Sequence, residues 1–87
     1  MKPVLMFMMK TCPYCQRTFH WMDEVMAEHP EYKALDITRV DEREQPDLAA
    51  QYDYYYVPTF YVDGKKVHEG ACSKEIVEDV LAQAYQG

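Results

Sequence analysis

Val4, Leu5, Met6, Phe7, Met8 and Met9 form an unbroken apolar run. A run this short predicts a strand buried on both faces. From Pro13 the spacing changes: Cys15, Phe19, Met22 and Met26 recur at helical intervals, and Trp21 and Val25 widen the stripe. Pro13 suits a first helical turn, so a helix is predicted from Pro13 to about Glu28. His29-Pro30 ends it, because the residue before a proline avoids the α region. Tyr32 to Ile37 reads as a second strand, and a strand–helix–strand unit makes the two strands parallel. Thr38 to Glu44 is polar, and Pro46-Asp47-Leu48 opens a short helix running to about Tyr52, with Asp47 placed well for the helix dipole.

A third strand is expected from Val57 to Val62, a hairpin turn at Asp63-Gly64, and a fourth, edge strand from Lys66 to Glu69 that Gly70 breaks. Ser73 can cap a last helix whose apolar face carries Ile76, Val77, Val80, Leu81 and Ala84. The order β-α-β-α-β-β-α is α/β, a mixed sheet with helices on its faces. No repeat or linker interrupts it, so residues 1–87 are expected to form a single domain.

Composition narrows the partners. Fifteen acids against nine bases give a net charge of −6, which argues against nucleic acid and anionic membranes. Hydrophobic residues make up 48% of the chain, enough to fold and to argue against disorder. No apolar run nears the roughly 20 residues of a membrane span. The Val4–Met9 run is too short for a secretory h-region, so the expected setting is the reducing cytosol and the expected state a monomer.

Three cysteines do not make a disulfide scaffold; an odd count points to catalysis, metal or redox chemistry. Two of them form Cys12-Pro13-Tyr14-Cys15, between a predicted strand and a predicted helix. A thiol attacks only as thiolate. At a helix N-terminus, free N–H groups and the dipole favour that anion. Lys2, Lys10 and Arg17 are the only charges in the first 22 residues, and they are expected to add a positive patch. A Cys12 pKa below the free value follows. Cys15 lies one turn on, on the apolar stripe with Phe19, where it can reach a mixed disulfide on Cys12 and resolve it. A zinc site would need two more ligands from His20, His29, His68 and Cys72, and no second C-x-x-C or H-x-x-x-H occurs. A structural disulfide across two residues would gain little closure entropy. Thiol–disulfide exchange is the chemistry that fits.

These residues make the chain similar to a glutaredoxin, within the thioredoxin-fold superfamily. The resemblance spans nearly the whole chain and rests on Cys12-Pro13-Tyr14-Cys15, Val57-Pro58-Thr59-Phe60, Asp63-Gly64 and the final helix. It implies a thioredoxin fold, with a four-stranded mixed sheet flanked by three helices. It implies a cis bond at Pro58, packed opposite the cysteines, and a Val57 backbone that pairs with the substrate main chain by β-augmentation. It further implies a small thiol–disulfide oxidoreductase acting on protein or small-molecule disulfides. Cys12 would be the attacking thiol and Cys15 the resolving one, with no metal and no tightly bound cofactor.

Glutathione would be co-substrate and electron donor, and Lys10 and Tyr14 match glutathione-contacting positions. Two features depart from the glutaredoxin pattern. Tyr56 precedes Val57 where many members have Thr, and Gly70-Ala71-Cys72-Ser73 stands in place of Gly-Gly-x-Asp. Ser73 offers a neutral hydroxyl where a carboxylate would make a charge-assisted bond about twice as strong. Pro-Thr-Phe after Val57 is closer to thioredoxins, though Thr11 and Tyr14 do not match their Trp-Cys-Gly-Pro-Cys site. The alternative donor is therefore a thioredoxin reductase. The resemblance also admits a dimer that holds an iron–sulfur cluster with glutathione as ligand, which fits Pro13 less well.

Other residues have plainer readings. Tyr54-Tyr55-Tyr56 is either strand packing, with Tyr55 or its neighbours buried, or an exposed aromatic rim. Cys72 reads as a small inert hydrophobe, the histidines as surface or satisfied residues, and Met6, Met8 and Met9 as core filler. Asp41-Glu42-Arg43-Glu44 reads as a solvated face.

Overall fold

In the computed structural model, which describes residues 1–87, the apolar run at the start forms strand β1, Val4–Met8. It is central in a four-stranded sheet of order β2-β1-β3-β4, with β2 at Ile37–Asp41, β3 at Thr59–Val62 and β4 at Lys65–Glu69. β2 runs parallel to β1; β3 is antiparallel to β1, and β4 to β3. Helices α1 (Pro13–Glu28), α2 (Pro46–Ala49) and α3 (Lys74–Gln86) complete the thioredoxin fold.

The period of two in β1 explains its apolar run. Val4, Met6 and Met8 point into a core shared with Cys15, Met22 and Val25 of α1 and Val77, Val80, Leu81 and Ala84 of α3. Phe7 points the other way, into a smaller cluster with Val40, Ala49 and Tyr61. A strand covered on both faces has no polar side to show.

The second strand is displaced from its expected place. Pro30–Ala34 forms a 3-10 turn, and the strand begins only at Ile37. Pro30 starts that turn, where its missing N–H costs nothing. Tyr32 packs on His29 and Tyr85, and Leu35 is buried. These apolar residues seal the base of α1 rather than extending the sheet. α2 stops at Ala49, short of Tyr52, and is continued by looser turns from Gln51 to Leu48 and from Tyr52 to Ala49. β3 begins at Thr59 because Pro58 has no N–H to give the ladder. The Val57–Pro58 peptide is cis.

Asp63 and Gly64 both have positive φ, 52° and 79°, the geometry of a two-residue hairpin turn. Beyond it the β3–β4 ladder slips: Tyr61 faces Lys66 and Phe60 faces His68, leaving Val67 as an extra residue. Ser73 caps α3, its Oγ accepting the Ile76 N–H at 3.2 Å.

Candidate active site

Cys12 is the N-cap residue of α1, extended at φ −77° and ψ 125°, with Pro13 in the first turn. Its carbonyl accepts the Gln16 N–H at 3.0 Å, the first bond of the helix. The free N–H groups of the first turn therefore face this end of the helix, and the sulfur makes no capping hydrogen bond with them. Partial burial acts to raise the Cys12 pKa. The Cys15 and Tyr14 N–H groups and the Cys15 thiol outweigh it, and the Cys12 thiol lies below its ordinary value.

Cys15 has the opposite environment. It is fully buried, with the Met9 N–H donating to its sulfur at 3.5 Å. Burial is the main cause that pushes its pKa to about 12, and the neighbouring Cys12 adds to it by charge and hydrogen bonding. Two thiols one turn apart are thus split by position: one stabilised as an anion, one held neutral.

The positive patch expected around Cys12 is not assembled. The Lys10 ammonium pairs with Glu44 at 2.7 Å, which offsets its charge. Arg17 lies over the Tyr14 ring at 5.7 Å. The charge that both thiols do feel is an opposing one, the Glu42 carboxylate. Backbone N–H groups, not lysine, lower the Cys12 pKa. They are fixed by the helix, whereas a lysine head is free to find a better partner.

The loop before Cys12 is fastened from β2. The Lys10 N–H donates to Asp41 at 3.0 Å, and the Arg43 N–H donates to the same carboxylate at 2.9 Å. Asp41 is 6% exposed, so the reading of Asp41–Glu44 as a solvated face is corrected at its first residue. Glu42 is half-buried and accepts the Tyr54 hydroxyl at 2.8 Å. Sequence alone did not single out Asp41 or Glu42 individually, because their partners lie on β1, the loop after it and the segment before Pro58.

Val57 and Cys12 pack against the same core cluster, and Pro58 is buried, its carbonyl accepting the Gly70 N–H at 2.8 Å. Tyr14 is 54% exposed beside Cys12. Ser73 is half-buried, with its oxygen engaged as the α3 cap. Tyr54 stacks on Phe7, with ring centroids 4.8 Å apart, while Tyr55 and Tyr56 are 84% and 69% exposed. The tyrosine triplet therefore combines both readings, with Tyr54, a neighbour of Tyr55, packed and Tyr55 and Tyr56 on the rim. Met9, Glu42, Tyr54 and Tyr55 border an open groove of about 530 Å³.

Cys72 is half-buried, and burial pushes its pKa to about 11, so it is no match for Cys12 as a nucleophile. His68 Nε2 lies 3.1 Å from the Gly70 carbonyl and 3.0 Å from that of Ala71. His20 faces Glu24, and His29 stacks on Tyr32.

Known proteins share this architecture. The family model described as thioredoxin domain matches residues 4–82. A thioredoxin of Methanocaldococcus jannaschii is 28% identical over 76 residues, covering 87% of each chain. A thioredoxin-like protein from Clostridium perfringens superposes with a TM-score of 0.66 at 28% identity, over 97% of this chain and 71% of that one. The oxidised thioredoxin of Plasmodium falciparum gives a TM-score of 0.71 at 20% identity, over 94% and 79%. With its two thiols at the head of α1 and a family match spanning nearly all of its length, the chain belongs to the thioredoxin-domain family of redox proteins.

Proposed function

We propose that the protein is a dithiol reductase of protein and small-molecule disulfides, returned to its reduced form by a thioredoxin reductase. The observation that carries the reading is the opposed placement of the two thiols, Cys12 partly exposed at the N-cap of α1 and Cys15 buried one turn on.

The Cys12 thiolate attacks one sulfur of a substrate disulfide. A Cys12–substrate disulfide forms, and the other half leaves as a thiolate. Cys12 then carries no charge, and its sulfur no longer favours a proton on Cys15. Both effects had helped to raise the Cys15 pKa, so that pKa falls at the step where Cys15 must ionise. Cys15 gives its proton toward the leaving thiolate and attacks the Cys12 sulfur. The Cys12–Cys15 disulfide forms and the second substrate thiol is released. Two electrons and the Cys15 proton have passed to the substrate, and the thiolate released first takes its proton from water. Val57 and Pro58 supply the apolar wall and the main-chain edge against which the substrate lies, and Tyr14 flanks the attacking sulfur.

The groups already engaged support this donor. Glutathione would draw on Lys10 and Ser73, yet Lys10 is paired with Glu44 and the Ser73 oxygen caps α3. A reductase that docks by backbone and apolar contacts needs neither. The relatives named thioredoxin support the same donor.

NADPH oxidation on a disulfide substrate tests the reading. Electrons are supplied through thioredoxin reductase in one arm and through glutathione with glutathione reductase in the other. Turnover in the first arm, abolished in Cys12→Ser, is the expected result. Turnover only with glutathione would transfer the chain to glutaredoxin chemistry. Silence in both arms, with Cys12 intact, would remove the redox function.

A further inference from the structure

A regular strand places residues three apart on opposite faces. Lys66 and Glu69 of β4 nevertheless meet, Nζ to Oε1 at 2.8 Å. The extra residue at Val67 shifts the phase of the strand, so Lys66 pairs with Tyr61 and Glu69 with Thr59. Tyr61 and Thr59 are two apart on β3 and share one face. The bulge thus gathers Thr59, Tyr61, Lys66 and Glu69 on that face.

All four side chains bond to the main chain of one segment. The Tyr61 hydroxyl and the Lys66 ammonium both donate to the Asp53 carbonyl, at 2.8 and 3.1 Å. Glu69 Oε2 accepts the N–H groups of both Tyr55 and Tyr56, at 2.6 and 3.1 Å. The Thr59 hydroxyl donates to the Tyr56 carbonyl. This segment leads directly into Val57 and Pro58. Its residues 55 and 56 have exposed side chains and belong to no helix or strand, so little else orders them.

We propose that Glu69, aligned by the Val67 bulge and held by Lys66, is a positioning residue that fixes the Asp53–Tyr56 segment and so presents the Val57 edge to a polypeptide disulfide. It rests on the redox reading above. Glu69 touches no reacting atom. Its effect falls on substrates long enough to lie along Val57, whereas a small disulfide reaches Cys12 and Cys15 without running along that edge.

The test compares wild type with Glu69→Ala, Glu69→Gln and Lys66→Met. Each is assayed with insulin and with cystine as disulfide, and amide hydrogen exchange is measured at Tyr55 and Tyr56. Loss of two charge-assisted bonds in Glu69→Ala is expected to raise the KM for insulin about tenfold with kcat held. Cystine turnover should stay within about twofold, and both amides should exchange about tenfold faster or more. Glu69→Gln keeps an acceptor oxygen and should recover part of the insulin KM. Should Glu69→Ala fail to fold, Lys66→Met removes the bond to Asp53 and the ion pair that holds Glu69, and should move the insulin KM and the amide exchange in the same direction by a smaller factor. An unchanged insulin KM, an equal loss on both disulfides or unaltered amide exchange would overturn the positioning role. Wild-type protein inert toward both disulfides would overturn the redox reading first, and the positioning role with it.

Discussion

The Lys10 N–H donates to the Asp41 carboxylate at 3.0 Å, joining the loop that presents Cys12 to the end of a strand 31 residues later. The N–H groups of Lys10 and Arg43 hold the Asp41 carboxyl below the usual carboxylate range. A depressed carboxyl contributes stability above its unfolded pKa, about 3.9, and loses it as pH falls through the folded value. Asp41→Asn is therefore expected to be less stable at neutral pH and to lose less than wild type on acidification. Urea midpoints measured from neutral pH down to about pH 3 check this. Parallel wild-type and variant curves would show that the carboxylate has no special role.

Lys10 is not the source of Cys12 reactivity. Its ammonium is paired with Glu44, and the helix N–H groups act on the sulfur instead. Lys10→Met should leave the pH profile of Cys12 alkylation by iodoacetamide in place. In both proteins the midpoint should lie below the free-thiol value of about 8.5. A rise in the variant of a full unit would return the lysine to the mechanism.

Alkaline pH should separate the reduced and oxidised forms. Cys15 and Cys72 have pKa values pushed by burial to about 12 and about 11. A raised thiol keeps a proton that the unfolded chain loses near pH 8.5, so stability drops as pH rises past that point. Cys12, lowered, acts in the opposite sense below it. The reduced protein is expected to be most stable near pH 8.5 and to fall beyond it. The oxidised protein, lacking the Cys15 thiol, should fall less, and Cys72→Ala should flatten its curve further. Thermal melts from about pH 7 to 10.5 read all three.

Phe7 anchors the second core. Its ring lies 4.8 Å from both Tyr52 and Tyr54 and 5.8 Å from Tyr61. Phe7→Ala should cost about 3–5 kcal/mol in denaturant unfolding. The Tyr54 ring that carries the Glu42 hydrogen bond rests on Phe7, so the variant should also disturb the groove that Tyr54 and Glu42 border. A loss below about 1 kcal/mol would mean that the cluster closes over the gap.

Some of this was legible along the chain because its causes are local. Pro13 beside Cys12 marks a helix start, Asp63-Gly64 marks a tight turn, and Ser73 three residues before Ile76 marks a cap; each is set by φ and ψ preferences or by a bond within one turn. The two-faced apolar run of β1 and the spacing of α1 were visible for the same reason, since periodicity records which face is buried. The second strand was misplaced because Tyr32 and Leu35 carry strand-like apolar character but spend it sealing α1. The partner of Lys10, the burial of Asp41 and the meeting of Lys66 with Glu69 have no local signal. Each depends on which strands lie side by side and in what register, and a polar side chain chooses its partner only after the fold has brought the candidates within reach. Sequence by itself determined that a thiol pair would sit at the head of a helix in a mixed α/β sheet. Tertiary structure decided what surrounds that pair, because hydrogen bonds and ion pairs act over a few ångströms and only packing sets those distances.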